Sequence, residues 1–200
     1  MWFKLAAEQG SIEAQFELAI AYLLRKGRPG ISNPDPKDTA EAIKWFTRAA
    51  EQGDVYSLWQ LATFYFGGVK VAGVPRDDKK AFKWFKLAAN KGNSSSQQYL
   101  GVIYATGRGV PQDDKLAFDW FKRAAEQGGI RAQTMVGALL AQGKGTLKDY
   151  VSAYMWLKLA ASKGAKDAVK VLAEVEHELT PAQIETANKL AREWLEKHRK

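Results

Sequence analysis

Apolar side chains recur at spacings of three and four residues along most of the chain, with polar side chains between them. One stretch places Ala117, Trp120, Phe121, Ala124 and Ala125 at positions i, i+3, i+4, i+7 and i+8. This spacing puts the apolar side chains on one face of an α-helix, whereas a half-buried strand would alternate at every second residue. The pattern therefore predicts amphipathic helices wherever it recurs.

The same stretch belongs to a motif, Ala-x-x-Trp-[Phe/Leu]-x-x-Ala-Ala-x-x-Gly, that occurs four times in full and once without its first residue. Its tryptophans are separated by 43, 39, 36 and 36 residues and are Trp2, Trp45, Trp84, Trp120 and Trp156. Self-similarity at such a period is typical of a repeat array, in which each unit packs on its neighbours. We name the tryptophan-bearing segment of each repeat helix B.

A second segment lies between successive copies of helix B, and we name it helix A. Its pattern is small-x-x-x-apolar-[Ala/Gly]-x-x-[Tyr/Leu], as in Ser96, Leu100, Gly101 and Tyr104. The longest loop from a helix A to a helix B covers residues 26–36 and is rich in Gly and Pro, which prevent a helix from running through it. We expect two helices in each repeat and this insertion on one edge of the array.

Both ends of helix B carry signals that determine where a helix begins and ends. An aspartate stands four residues before the first alanine of each full motif, which predicts N-caps at Asp38, Asp77, Asp113 and Asp149. The glycine that closes each motif suits the left-handed position that follows a helix.

One more helix is predicted at the C-terminal end of the chain. Thr180, Pro181 and Gln183 have the sequence of a capping box with proline in the first turn. The apolar face of the helix that follows comprises Ile184, Ala187, Ala191, Trp194 and Leu195. We expect this helix to cover the C-terminal edge of the array. The N-terminal edge, where the chain begins inside a helix B, has no such cover.

The two helix patterns together resemble the Sel1-like repeat family, which is related to the tetratricopeptide repeats (TPR). The clearest instance runs from Ser96 to Val110 and from Ala117 to Gly128. The resemblance implies a bacterial protein with an all-α fold, a right-handed superhelix of Sel1-like, TPR-like helix-turn-helix repeats with a C-terminal capping helix. The array over residues 1–178 and the capping helix with its basic tail over residues 180–200 would form a single continuous domain.

The resemblance also implies a non-catalytic scaffold that binds a protein or peptide partner, with helix A lining a concave groove as in the TPR. The candidate partner-binding positions are aromatic in the N-terminal half and polar in the C-terminal half, and they are Phe16, Tyr56, Trp59, Phe66, Gln98, Arg131 and Thr134. Trp59 is the first choice because it lies outside both the repeated motif and the capping helix, and aromatic residues are enriched in binding hot spots. The alternative for Trp59 is packing against Phe16 or the long loop, and for Phe16 and Phe66 it is packing in the core.

Charge and composition bear on two other classes of protein, nucleic-acid-binding proteins and disulfide-linked secreted proteins. The net charge is +8, but residues 1–100 carry 14 basic and 10 acidic side chains and residues 101–200 carry 16 and 12. This even spread argues against specific nucleic-acid binding, which needs a clustered basic stripe. The lack of cysteine excludes disulfides and separates the chain from secreted relatives that carry one in each repeat.

The cellular compartment stays open at this point. No apolar run is long enough for a membrane span, and the N-terminal residues lack the pattern of a signal peptide. We expect a cytoplasmic protein for the chain as given, and a periplasmic or secreted one if a leader upstream of Met1 has been removed.

Three further patterns have both a chemical and a structural explanation. The position two residues after each repeat tryptophan forms a near-continuous lysine ladder that would suit an acidic partner or a solvated helix face, and it comprises Lys4, Thr47, Lys86, Lys122 and Lys158. Glu174 and His177 have the spacing of a di-metal bundle motif but lack further ligands, so we predict no metal and no cofactor. The Gly-x-Gly segments at 107–109 and 143–145 indicate turns rather than phosphate loops.

An enzyme is not expected. Only His177 and His198 are available as histidine bases, and no Ser/His/Asp or paired-carboxylate arrangement is present. Two alternatives to a simple scaffold remain. One is an envelope- or host-directed bacterial factor with weak enzymatic activity, and the other is a scaffold that self-associates through its uncapped N-terminal edge.

Overall fold

The computed structural model describes residues 2–24, 36–68 and 74–199. Within these ranges the chain forms eleven α-helices and no β-strand. The helices are α1 (Trp2–Glu8), α2 (Ile12–Leu24), α3 (Pro36–Glu51), α4 (Val55–Gly67), α5 (Asp78–Asn90), α6 (Ser94–Thr106), α7 (Asp114–Glu126), α8 (Ile130–Gln142), α9 (Tyr150–Ser162), α10 (Lys166–Glu176) and α11 (Pro181–Lys197). The odd-numbered helices α1 to α9 are the copies of helix B and the even-numbered ones are the copies of helix A, so the prediction of two helices in each repeat is confirmed.

Helix B turns its alanines and the residue after its tryptophan towards the core. That residue is completely buried in every full copy, at Phe46, Phe85, Phe121 and Leu157. The tryptophans themselves are less uniform, because Trp45 and Trp156 are buried whereas Trp84 and Trp120 are half-buried. Burial of these apolar side chains is the main favourable contribution to the stability of each repeat.

The small residue of helix A sits at its contact with the following helix B. A Cβ atom on Gly101 would lie 2.6 Å from Cδ1 of Phe121, and one on Gly137 would lie 2.5 Å from Cγ of Leu157. An added methyl group does not fit at these distances unless the neighbouring side chain moves. The [Ala/Gly] position of the helix A pattern is therefore a packing position.

The predicted N-caps are confirmed at three of the four sites. The side chains of Asp77, Asp113 and Asp149 each accept a hydrogen bond from the backbone N–H three residues later. The N-cap predicted at Asp38 is wrong, because α3 begins at Pro36 and Asp38 lies in its first turn. Proline has no N–H to donate and its fixed φ suits the first turn, so Pro36 opens the helix ahead of the aspartate.

The predicted left-handed glycines are also confirmed. The glycines that close the motifs have φ between 85° and 97°, and they are Gly10, Gly53, Gly92, Gly128 and Gly164.

The C-terminal helix α11 begins with the predicted capping box between Thr180 and Gln183. It packs against α9, and its Trp194 ring lies edge-on to Trp156 with the centroids 5.9 Å apart. Leu195 was predicted on the apolar face but is 43% exposed, since the buried face of α11 centres on Ala187 and Ala191.

The chain divides into two compact units. Unit 1 comprises Met1–Ser96 with Arg108–Val110, and unit 2 comprises Gln97–Gly107 with Pro111–Lys200. Each unit contains its own cluster of buried apolar side chains. The single continuous domain, with an array over residues 1–178 and a cap over residues 180–200, stays a prediction.

Two other expectations concern the loop and the membrane. The long first loop falls outside the described residues except for Pro36. In residues 2–24, 36–68 and 74–199, no helix combines the length and the hydropathy that crossing a membrane requires.

Candidate partner-binding site

Three aromatic side chains lie on the helices A of unit 1, and we call them the aromatic surface: Phe16 on α2, and Tyr56 and Trp59 on α4. Tyr56 and Trp59 are three residues apart and therefore lie on one side of α4. The ring centroids of Phe16 and Tyr56 are 6.2 Å apart with tilted planes. Tyr56 is 65% exposed, whereas the other two side chains are half-buried. The surface thus presents an exposed phenol ring beside the half-buried ring of Phe16.

The core of unit 1 supports this surface from below. Phe16 and Trp59 both pack against the buried cluster of unit 1, and Phe16 meets Phe46 edge-on with the centroids 5.9 Å apart. The Nε1 atom of Trp59 is buried and forms no hydrogen bond to any residue in the described ranges. The indole therefore packs against the core on one side, and Tyr56 is the more exposed of the two side chains. Packing of Trp59 against Phe16 or the long loop stays a prediction.

The first turn of α4, which contains Tyr56, is capped by a side chain. Asp54 is the N-cap of α4, and its carboxylate accepts a hydrogen bond from the Ser57 N–H at 2.7 Å. Asn93 accepts an equivalent bond from the Ser96 N–H at 2.7 Å at the start of α6. The sequence prediction missed both caps, although each residue directly follows the glycine that closes a helix B.

Phe66 is separate from the aromatic surface. Its ring is covered by the guanidinium of Arg108, which lies 3.6 Å from the ring centroid, and it meets Phe85 edge-on at 5.8 Å. Arg108 also donates a hydrogen bond to the Phe66 carbonyl oxygen at 2.9 Å. Phe66 is therefore half-buried beneath a cation, and its predicted role in binding stays a prediction.

The remaining candidates lie in unit 2. Gln98 on α6 and Thr134 on α8 are half-buried, and Arg131 on α8 is exposed. The Thr134 hydroxyl donates to the Ile130 carbonyl within the same helix at 3.1 Å. Unit 2 thus carries these three residues on its own helices A, and a groove that joins them to the aromatic surface stays a prediction.

An ion-pair cluster beside Phe66 was missed at the sequence level. Arg76 donates to both carboxylate oxygens of Asp78, and Arg108 donates to the Asp78 Oδ1 at 2.7 Å. The hydrogen bonds from Arg76, followed by those from Arg108, lower the pKa of the Asp78 carboxyl to about 2, against the effect of burial. The fourth repeat contains a similar pair, with the Lys144 Nζ 3.4 Å from Asp114.

This similarity gives the Gly-x-Gly turns a structural role. The middle residue of each turn is basic, and it pairs with the first residue of the helix B in the preceding repeat. A Cβ atom on Gly109 would lie 2.8 Å from the Asp78 carbonyl oxygen, so the turn must carry glycine to approach that helix. The prediction that these segments are turns is confirmed, and the recurring basic residue was the signal for the pairing.

Buried glutamines form a second set of contacts between helices that the sequence analysis did not predict. Gln15 donates to the Ala7 carbonyl oxygen at 3.0 Å and accepts from Gln52 at 2.8 Å. Gln133 donates to the Ala125 carbonyl oxygen at 3.3 Å in the fourth repeat. The bonds to the Ala7 and Ala125 carbonyls each join a helix A to the last turn of the helix B before it, which satisfies carbonyls that the helix end leaves free. The bond from Gln52 joins α2 to the residue that follows α3. The signal was a glutamine directly after the small residue that opens the helix A pattern.

The other candidate patterns show no assembled chemistry. In the described part of the chain, no group of three or more His, Asp or Glu side chains is placed to hold a metal. In the lysine ladder, Lys86 and Lys122 are exposed, Thr47 donates to the Ile43 carbonyl, and Lys158 bonds Asn188 on α11.

The surface of α1 and α2 has apolar exposure of its own. Phe3 is 66% exposed and Leu5 is 49% exposed, beside an open hollow of about 510 Å³ that Phe3 and Ala14 help to line. Self-association through this surface stays a prediction.

Comparison with known families identifies the repeat. The model of the Sel1 repeat matches residues 1–11, 12–54, 55–93, 94–129 and 130–164. The chain belongs to the Sel1 repeat family. The predicted family and its all-α helix-turn-helix fold are thereby confirmed.

Two solved structures of Sel1 repeat proteins resemble the chain along nearly its whole length. One is a protective antigen of uropathogenic Escherichia coli strains that displays an SLR fold; it is 34% identical, covers 98% of this chain and has a TM-score of 0.80. The other is a Sel1 repeat protein from Oxalobacter formigenes, 29% identical over 99% of this chain with a TM-score of 0.73. Their bacterial sources agree with the predicted one. This chain spans 40% of the length of the first protein and 76% of the second.

A third Sel1-like structure supports the fold alone. Helicobacter pylori cysteine rich protein B is 21% identical over 72% of this chain, with a TM-score of 0.53. No curated protein sequence matched the chain. Sel1 repeats generally form protein-interaction scaffolds rather than catalytic sites.

Proposed function

We propose that this Sel1 repeat protein is a non-catalytic scaffold that binds a peptide or protein segment at the aromatic surface of unit 1. The observation that carries the proposal is the 65% exposure of Tyr56 beside the ring of Phe16, which itself packs against the buried cluster of unit 1. A single exposed aromatic residue is common, but one that stands against a half-buried ring has a preformed apolar support.

Physical chemistry favours a protein partner for such a surface. Aromatic side chains lose little conformational entropy on binding and offer a large contact area, which explains their enrichment in hot spots. The hydroxyl of Tyr56 adds a hydrogen-bonding group at the edge of that area. The partner segment we expect places an apolar side chain against the Phe16 and Tyr56 rings and a polar group near the phenol oxygen.

Peptide selection tests this proposal without knowledge of the natural partner. The folded protein is panned against a displayed library of random peptides, and the selected peptides are synthesised. We expect them to share apolar positions and to lose at least about tenfold in affinity for Tyr56→Ala, since truncating a hot spot costs about 1.4 kcal/mol or more.

The matched control is Leu147→Ala, because Leu147 is 88% exposed and belongs to unit 2, whereas the aromatic surface belongs to unit 1. This variant should bind the selected peptides like the wild type. Peptides that bind Tyr56→Ala and the wild type equally well would place the interaction elsewhere.

A further inference from the structure

Unit 2 contains a small hollow between α8, α10 and the first residue of α9. Its volume is about 200 Å³, on the scale of one long side chain. Ala138 and Ala141 on α8 and Val171 on α10 contribute its apolar lining, and Tyr150 on α9 closes one side. Glu174 on α10 and Glu178 just after α10 supply carboxylates. We call this feature the acid-rimmed hollow.

The fourth repeat carries alanine at two positions, 138 and 141, where each of the first three repeats carries at least one larger side chain; the third repeat has Val102 and Ala105. The positions equivalent to Ala138 and Ala141 hold Ile20 and Leu23 in the first repeat. In the second repeat they hold Thr63 and Phe66. The space is therefore a property of this repeat rather than of the repeated fold.

The acidic residue at Glu174 is found at this position in α10 and in no other helix A. The equivalent position is Ile20, Thr63, Val102 or Ala138 in the other helices A, so an acid occurs only in α10. Within the described residues, neither Glu174 nor Glu178 forms an ion pair with a lysine or arginine of the chain. Lys148 contacts Tyr150, which lines the hollow: its Nζ lies 3.5 Å from the hydroxyl oxygen and 5.4 Å from the ring centroid.

The surrounding helices add to the negative potential. The last turn of α8 and the last turn of α10 both border the hollow, and the C-terminal end of a helix carries a partial negative charge. An apolar lining beneath a negative rim suits a group with an aliphatic stem and a cationic head, which is the chemistry of lysine and arginine.

We propose that the acid-rimmed hollow binds one lysine or arginine side chain of a protein partner. The aliphatic stem lies on Ala138, Ala141 and Val171, and the cationic head meets Glu174 and Glu178. This site belongs to unit 2 and does not depend on the aromatic surface of unit 1, so either proposal stands without the other. A metal ion is a poor alternative occupant, because two carboxylates leave most ligand positions unfilled and half of the lining is aliphatic.

Nuclear magnetic resonance titration tests the proposal with small probes. N-acetyl-arginine amide and N-acetyl-lysine amide are added separately to the ¹⁵N-labelled full chain, and N-acetyl-citrulline amide serves as the neutral isostere of arginine. We expect saturable shifts at the amides of Ala138, Ala141 and Glu174 with at least one cationic probe and none with citrulline. The probe with the lower Kd identifies which side chain the site prefers.

Three double variants, one of them a control, separate the effect of charge from that of shape. Glu174→Gln with Glu178→Gln should raise the Kd of the cationic probe at least tenfold, whereas Glu126→Gln with Glu196→Gln changes the net charge equally and should leave it within twofold. Ala138→Ile with Ala141→Leu introduces the residue types that the first repeat carries at these positions and fills the hollow. This variant should abolish binding although both carboxylates are intact. Equal binding of citrulline, equal effects of the two glutamine pairs, or binding that survives the filled hollow would each overturn the proposal.

Discussion

At the residue scale, the distance between paired helices depends on a single methyl group. The position after the central apolar residue of helix A is alanine in the first two repeats and glycine in the next two. Where it is glycine, the partner residue of helix B fills the space that a Cβ would need. The sequence pattern predicted a small residue at this position. Whether a repeat can hold alanine there depends on the distance between its helix A and its helix B.

Gly137→Ala should therefore lower the free energy of unfolding by about 1–3 kcal/mol, the usual cost of overpacking a core. The added Cβ would stand 2.5 Å from Cγ of Leu157 and 3.1 Å from the Ala153 carbonyl oxygen. Chemical denaturation followed by circular dichroism measures the change.

Gly67→Ala is the control, because Gly67 is also in a helix A and an added Cβ there meets no atom within 4 Å. Its stability should stay constant or rise by about 0.4–1 kcal/mol through reduced freedom of the unfolded chain. Equal losses in the two variants would show that helix geometry, and not contact with helix B, sets the requirement for glycine.

At the element scale, the ends of the helices were the most predictable feature and their connections the least. Asp77, Asp113 and Asp149 could be assigned as N-caps because the cap depends on local sequence alone. Asp38 misled the prediction because a proline two residues earlier competes for the start of α3. The ion pair between Arg108 and Asp78 spans 30 positions, so no local pattern reports it directly.

The Asp78 cluster should make the stability of unit 1 sensitive to acid. The pKa of Asp78 is lowered from 3.8 to about 2 in the folded chain, so folding favours the ionised form. Its contribution is fully present above about pH 4 and is lost as the pH falls through about 2. Asp78→Asn should therefore melt at a lower temperature than the wild type at pH 6, and this difference should shrink between pH 4 and pH 2.

Thermal melts at intervals between pH 6 and pH 2 measure this effect. Asp119→Asn is the control because it removes an exposed acid on α7. Its difference from the wild type should be small at pH 6. A constant melting difference between wild type and Asp78→Asn down to pH 2 would contradict the assigned role of the ionised carboxylate.

At the scale of the whole molecule, the repeat determined the family and fold from sequence alone. Five copies of one pattern leave little freedom in fold, because each apolar stripe must be buried against the next helix. The candidate site was harder to predict, since the exposure of an aromatic residue depends on which neighbours cover it. Trp59 was singled out for being outside the pattern, yet the core covers part of it, while Tyr56 remains 65% exposed.

The same limit applies to Phe66 and to the acid-rimmed hollow. Phe66 was identified by its register, and the guanidinium of Arg108 that covers it comes from the following repeat. The hollow results from small residues at Ala138 and Ala141, which a search for conspicuous side chains passes over. Register predicts which side of a helix a residue lies on, and neighbouring elements decide whether it is available.

The most direct test of the proposed function is the affinity of a selected peptide for Tyr56→Ala, measured by isothermal titration calorimetry. Tyr56 is mostly solvent-exposed, so the variant should melt close to the wild type and any change in affinity reports the surface itself. We predict a Kd at least about tenfold higher than for the wild type and for Leu147→Ala. A Kd within twofold of the wild-type value in a correctly folded Tyr56→Ala protein would contradict binding at the aromatic surface.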